Sequence, residues 1–171
     1  MIHLYCGDGK GKTTASVGLA VRASGSGKKV IFAQFLKGRE TGELSSLRLL
    51  PGITVLRGNF SKKFTFQMTG DERKTAADEN ERLLEEAFRT ADETGAQLLI
   101  LDESVTAAQR DMICENRLKE LIESRRERLE IVMTGAVPDG WMVELADYVT
   151  DMEKIKHPFD RGVKAREGIE Y

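Results

Sequence analysis

The sequence predicts an α/β fold, a mostly parallel sheet with helices on both faces, and three observations predict it. An apolar run at Ile2 to Cys6 breaks into a glycine- and lysine-rich turn and then into a helical stretch from Thr13. Apolar runs near Val30, Ile53, Leu98, Ile131 and Tyr148 then alternate with helical segments, and such alternation requires right-handed crossovers between parallel strands. The run Leu98 to Leu101 is apolar throughout and ends in Asp102-Glu103, the pattern of a strand buried on both faces.

Each element follows from local pattern. The first helix is expected over Thr13 to Ala23, with Gly25-Ser-Gly27 as its stop. A second strand is expected over Val30 to Phe35, then a polar stretch with Lys37, Gly38 and Gly42, and a short helix that ends before Pro51-Gly52. Ile53 to Leu56 reads as the third strand, and residues 57–70 as a long loop without periodicity that carries Phe60, Phe64 and Phe66. From Asp71 to Thr94, Ala76, Leu83, Leu84, Ala87, Phe88 and Ala91 form one stripe of a long amphipathic helix that Gly95 closes. After the strand at Leu98 to Leu101 come a helix over Arg117 to Arg128, a strand at Ile131 to Met133 broken by Thr134-Gly135, a helix over Val143 to Asp147 and a last strand over Tyr148 to Met152. No repeat or linker divides the chain, so residues 1–171 are expected to form one domain.

Composition narrows the function. With 171 residues and 40% hydrophobic content the chain can bury a sizeable core, and a formal net charge of -2 argues against a broad platform for nucleic acid or membrane surfaces. Two cysteines, Cys6 and Cys114, have neither the number nor the spacing of a disulfide framework or zinc site. Cys6 is expected in the core. No apolar run approaches the roughly 20 residues of a membrane span, and the phosphate loop begins too early to leave space for a signal peptide; a cytoplasmic location is the expectation.

The turn after the first strand carries the chemistry. Gly7, Gly9 and Gly11 let backbone N–H groups turn toward an anion, Lys12 adds a point charge, and the Thr13 hydroxyl suits a magnesium ion. The phosphate would sit on the N-terminus of the following helix. The general pattern places a glycine where this chain has Cys6, so the motif is one residue short: Gly7-x-x-x-Gly11-Lys12-Thr13. That shortening points to triphosphate binding without ordinary γ-phosphate hydrolysis.

In an open parallel sheet, ligands gather at the carboxyl ends of the strands, which collects the loop, Gln34 to Lys37, Asp102-Glu103 and Thr134-Gly135 into one crevice. A magnesium held by phosphate oxygens needs one or two protein carboxylates. Glu103 is the expected ligand, with Asp102 either near the metal or hydrogen-bonded to the loop threonine; the bland alternative is a solvated strand end or helix cap. Phe60, Phe64 and Phe66 sit among Lys62, Lys63 and Thr65, and two readings stand: the lid of a core, or rings that close over a flat cofactor. Glu85, Glu86, Arg125, Arg126 and Arg128 read as a solvated helix face, and His157 beside Pro158 as a structural or capping residue.

The eight-residue loop Gly-Asp-Gly-Lys-Gly-Lys-Thr-Thr at 7–14 resembles that of the corrinoid adenosyltransferases built on a P-loop fold. Gln34-Phe-Leu-Lys-Gly38, Phe64-Thr-Phe66, Leu101-Asp-Glu103 and the tail Lys156 to Tyr171, with its Gly-Val-Lys-Ala stretch, are similar to that family's blocks, so the resemblance spans essentially the whole chain. It implies an enzyme that transfers the 5'-deoxyadenosyl group of ATP to the cobalt(I) of a reduced corrinoid and releases inorganic triphosphate. Carried onto this chain, it implies that Gly7, Asp8, Gly9, Lys10, Gly11, Lys12, Thr13 and Thr14 bind ATP. Lys12, Thr13 and Glu103 would be the catalytic set, with Thr13, Glu103 and Asp102 around Mg2+. Phe64 and Phe66 would displace the lower axial ligand of cobalt. A reduced flavin or flavodoxin-like electron donor and a homodimer are also implied.

The chain departs from the family at several points. On that resemblance the N-terminal extension of longer members is expected to be missing, since the first strand opens at Ile2; Ala136 stands where the family often has arginine, with Arg161 or Lys164 as candidate substitutes. Phe66 stands where some members have tryptophan, and Asp8 where asparagine is common. Two other classes remain: a P-loop NTPase or kinase acting at the γ-phosphate, and a non-catalytic nucleotide-binding protein.

Overall fold

The computed structural model describes residues 1–38, 40–58 and 67–170. Among these residues six strands form one sheet: β1 (Ile2–Cys6), β2 (Val30–Gln34), β3 (Ile53–Arg57), β4 (Leu98–Asp102), β5 (Glu130–Thr134) and β6 (Tyr148–Asp151). Their order is β3-β2-β4-β5-β1-β6. Every pairing is parallel, from Val30 opposite Ile53 to Cys6 opposite Asp151. All six carboxyl ends therefore lie along one edge.

The helices are α1 (Lys12–Gly25), α2 (Gly42–Leu47), α3 (Gly70–Thr94), α4 (Ser104–Gln109), α5 (Glu115–Glu123) and α6 (Gly140–Leu145). They cover both faces. Ala20 and Ala23 of α1 and Leu44 and Leu47 of α2 pack with Phe32, Ile100 and Val132 on one face. On the other, Leu84 and Phe88 of α3, Val105 of α4, Leu118 and Ile122 of α5 and Met142 of α6 pack with Leu4, Ile31, Leu99 and Ile131. Strands β2 and β4 are buried along their whole length, which their unbroken apolar runs anticipate; β1 alternates buried and half-buried residues. Cys6 lies in the core, as expected.

Several boundaries differ from the periodicity. Helix α1 runs two residues past Ala23 to Gly25. The short helix α4 directly after β4 has no counterpart in the sequence reading, because six residues hold too little periodicity to register. The helix expected over Arg117 to Arg128 begins at Glu115 and stops at Glu123, and the one expected over Val143 to Asp147 is α6, which begins at Gly140 and ends at Leu145. Long helix α3 starts with a capping box: Thr69 accepts from the Glu72 N–H while the Glu72 side chain accepts from the Thr69 N–H. Gly95 ends it in the left-handed conformation, φ 65°.

The charged helix face is paired rather than simply solvated. Arg117 bridges Glu85 of α3 and Glu120 of α5, and Asp92 receives both Arg125 and Arg128. Edge strand β6 is held by stacking: the His3 and Tyr148 rings lie 4.6 Å apart, and His3 Nε2 is 2.6 Å from Glu130 Oε1 on β5. His157 caps the 3-10 turn Pro158–Arg161, its Nδ1 accepting the Phe159 N–H at 3.1 Å.

Candidate functional site

The site is assembled where β1, β2, β4 and β5 end. Its centre is Asp102, the last residue of β4, fully buried and carried to the sheet edge by four apolar residues. A lone carboxylate there would be costly, and four donors from four segments satisfy it. Thr13 Oγ1 of α1 and Thr134 Oγ1 of β5 donate to Asp102 Oδ1 at 2.9 and 2.8 Å. Gln34 Nε2 of β2 and the Lys37 ammonium donate to Asp102 Oδ2 at 3.1 and 2.9 Å. One carboxylate thus ties the phosphate-loop helix to three strand ends.

Lys37 is aimed by its backbone. The Lys37 N–H donates to the Phe35 carbonyl at 2.7 Å across Leu36, whose φ of 62° is in the left-handed region; such a three-residue turn is rare and strained. Two contacts hold the turn: Asn80 Oδ1, on the buried face of α3, accepts the Leu36 N–H at 3.3 Å, and the Arg57 guanidinium at the end of β3 donates twice to the Lys37 carbonyl, at 3.1 and 2.8 Å. Lys37 Nζ then reaches Thr13 Oγ1 at 3.1 Å as well as Asp102. Burial pulls the Lys37 ammonium down, but the charge and hydrogen bond of Asp102, with Glu103 and Glu43 behind it, outweigh burial and hold its pKa above the ordinary 10.5. The ammonium stays charged.

Glu103 follows at once. Its φ of 65° places it in the left-handed region as the N-cap of α4, with its N–H donated to Thr134 Oγ1 at 2.9 Å. Its half-buried carboxylate accepts no hydrogen bond from the described residues, so it is available to a ligand. Thr13 spends its proton on Asp102, which leaves its lone pairs for Lys37 or a metal. These are hard oxygen donors, the set that suits Mg2+ when phosphate and water oxygens complete the shell; no group of three or more His, Cys, Asp or Glu that could hold a metal by itself occurs among the described residues.

The loop is built differently from the expectation that all three glycine N–H groups face one anion. The Gly7 N–H donates to the Ala136 carbonyl at 2.7 Å and the Gly9 N–H to the Met152 carbonyl at 2.6 Å. Both glycines are required by the chain that leaves β6. A Cβ on Gly7 would lie 2.2 Å from Asp151 Oδ1, and one on Gly9 would lie 2.4 Å from the Met152 carbonyl oxygen. Lys12 Nζ folds back onto the loop, donating to the Gly7 and Gly9 carbonyls at 2.7 Å each. What remains for an anion includes the Gly11 N–H and the first turn of α1, where Lys12, Thr13 and Thr14 carry N–H groups that a helix cannot satisfy internally.

Asp8 accepts the Lys154 N–H at 2.8 Å. Its carboxylate therefore holds the tail, a role the loop motif does not disclose. Lys10 and Thr14 are exposed; the positive charge of Lys10 reaches Glu170, whose carboxyl is held down to about 2, chiefly by its hydrogen bond with Arg166. Phe64 and Phe66, with Phe60, lie outside the described residues. The structure thus brings Thr13, Asp102, Glu103 and Lys37 together, with Lys12 beside Thr13 at the start of α1 and its ammonium turned back onto the loop. Strand order alone puts Gln34, Lys37 and Thr134 at the crevice; Glu43, Arg57 and Asn80 carry no sequence signal, since each reads as an ordinary polar residue.

Comparison with known proteins agrees across the full length. A family profile described as ATP:corrinoid adenosyltransferase BtuR/CobO/CobP matches residues 1–171. The corrinoid adenosyltransferase of Escherichia coli (strain K12) is 33% identical over 171 residues, covering 100% of this chain and 85% of that protein. The Pseudomonas aeruginosa corrinoid adenosyltransferase is 32% identical over 172 residues, covering 100% and 83%, and corrinoid adenosyltransferase CobA of Salmonella typhimurium is 31% identical over 176 residues, covering 100% and 85%. Among solved structures, a KaiC-like protein from Pyrococcus horikoshii OT3 superposes with a TM-score of 0.56 at 15% identity, covering 91% of this chain and 73% of that one; this likeness concerns the fold alone.

Proposed function

The chain belongs to the ATP:corrinoid adenosyltransferase family, and on that footing we propose that it transfers the 5'-deoxyadenosyl group of ATP to the cobalt of a reduced corrinoid. The observation that supports the site assignment is the junction of Thr13 with Asp102 beside Glu103, which groups hard oxygen donors at the start of α1, as a triphosphate with its metal would require. In the reaction, cobalt(I) supplies an electron pair to the 5'-carbon, a cobalt–carbon bond forms, the carbon–oxygen bond breaks, and the pair leaves with the triphosphate oxygen. No protein base is needed. What the protein supplies is stabilisation of charge growing on the leaving group.

Lys12, Lys10 and the first-turn N–H groups of α1 would bind that leaving group, with Gly7, Asp8, Gly9 and Gly11 shaping the loop and Thr14 contacting the nucleotide. Lys12 reaches it by exchanging one of its two loop carbonyls for a phosphate oxygen. Thr13 and Glu103 would hold Mg2+, which when bound adds positive charge against the triphosphate, and Asp102 orients Thr13 without ligating. Phe64 and Phe66 would exclude an axial ligand from cobalt, leaving a four-coordinate cobalt(II) corrinoid that is easier to reduce. A reduced flavin or flavodoxin-like donor would supply the electron. Assembly as a homodimer and a cytoplasmic location belong to the same reading.

The test is a visible spectrum of corrinoid mixed with the protein, ATP, Mg2+ and reductant, together with product analysis. Adenosylated corrinoid with stoichiometric inorganic triphosphate is the expected result. Orthophosphate or ADP in its place would establish a γ-phosphate enzyme instead, and binding without turnover a nucleotide-binding protein.

A further inference from the structure

The pocket around Asp102 holds more oxygen than its hydrogen bonds consume. Besides Thr13, Asp102, Glu103 and Glu43, the buried oxygen Gln34 Oε1 has no hydrogen-bond partner among the described residues. The Gln34 amide orientation is fixed, because its Nε2 donates to both Glu43 Oε1 and Asp102 Oδ2, each at 3.1 Å. An acceptor surplus of this kind is an environment for a cation. The cation that the structure places there is the Lys37 ammonium, 2.9 Å from Asp102 Oδ2 and 3.1 Å from Thr13 Oγ1.

The position matters because Thr13 Oγ1 is shared. A magnesium ion binds oxygen at about 2.1 Å, so one ligated by Thr13 would lie within about 5 Å of an ammonium that is itself 3.1 Å from that oxygen. Those two cations repel in a partly desolvated site. We propose that Lys37 is the counter-ion of this site in the absence of nucleotide and bars a free divalent cation from it, so that metal enters only together with the triphosphate. The phosphates supply the negative charge that offsets the second cation and give the ammonium new acceptors. Its backbone stays in place, clamped by Arg57 and Asn80, so only the side chain swings. Asp102 keeps its bonds from Thr13, Thr134 and Gln34 throughout.

This inference rests on the reading of the crevice as a triphosphate and magnesium site, and its experiment does not depend on corrinoid turnover. Mn2+ serves as probe, its free concentration followed by electron paramagnetic resonance in the absence of nucleotide. Wild type and Lys37→Arg should bind Mn2+ weakly, whereas Lys37→Met should bind it at least about tenfold more tightly. Lys37→Gln removes the charge while keeping a donor for Asp102, and should match Lys37→Met; it provides the same reading should the methionine variant lose its circular-dichroism signature of folding. Equal Mn2+ affinity in the wild type and the uncharged variants overturns the proposal, as does tight binding by nucleotide-free wild type. Equilibrium dialysis with ATP and Mg2+ separates the two levels: absent ATP binding overturns the crevice reading itself, while normal ATP binding with unchanged Mn2+ affinity overturns only the role of Lys37.

Discussion

Asp8 Oδ1 accepts the backbone N–H of Lys154 at 2.8 Å and so fastens the C-terminal tail to the phosphate loop across 146 residues of sequence. Asp8→Ala should release that junction, and the loss of about 1 kcal/mol for one hydrogen bond corresponds to roughly fivefold faster hydrogen exchange at the Lys154 amide. Asp8→Asn keeps a side-chain oxygen and should exchange like wild type. Equal protection in all three would remove Asp8 from the junction.

Gly9 is held to its size by the same tail. Gly9→Ala places a methyl group 2.4 Å from the Met152 carbonyl oxygen, and since that atom is backbone the chain after β6 must move. The expected cost is on the order of 1–3 kcal/mol, read as a lower urea midpoint. A variant as stable as wild type would show that the tail yields freely.

Asp102 anchors four donors. Asp102→Ala should lower stability by about 3–5 kcal/mol, because it leaves the Lys37 ammonium and three polar donors without their shared acceptor. Chemical denaturation measures it. A loss below about 1 kcal/mol would mean that water replaces the carboxylate.

Lys12→Ala should reduce triphosphate release on the order of 10²-fold or more, by loss of one donor to the leaving group. Because Lys12 also ties the Gly7 and Gly9 carbonyls, thermal denaturation must accompany the rate. Near-normal turnover would place Lys12 outside the site.

The acid limb of stability should depend on Glu85 and Asp92. For Glu85 the Arg117 hydrogen bond lowers the carboxyl below its ordinary 4.5; for Asp92 burial pushes upward, but the bonds from Arg125 and Arg128 prevail and hold it below 3.8. A carboxylate depressed in the folded state stabilises fully above its unfolded pKa and loses that contribution as pH falls through the folded value. Wild-type stability should therefore decline below about pH 4.5, and the Glu85→Gln, Asp92→Asn double variant should decline less steeply. Both carboxylates are partly exposed, so solvent screening keeps the effect small. Parallel curves would show these pairs to be neutral.

Local pattern in the chain dictated the α/β architecture, because apolar runs long enough to bury both faces alternate with amphipathic stretches. It also determined that the loop at 7–14, Gln34 to Lys37, Asp102-Glu103 and Thr134 meet, since parallel strands place their carboxyl ends on one edge. How they meet is a matter of packing. That Asp102 takes four hydrogen bonds, that Leu36 turns Lys37 onto Thr13, and that Gly7 and Gly9 make room for Asp151 and Met152 depend on contacts between residues far apart in the chain. Local pattern reports which face of an element is apolar. It carries no record of which distant donor a buried carboxylate will find, because that choice is made by the packing that brings the strand ends together.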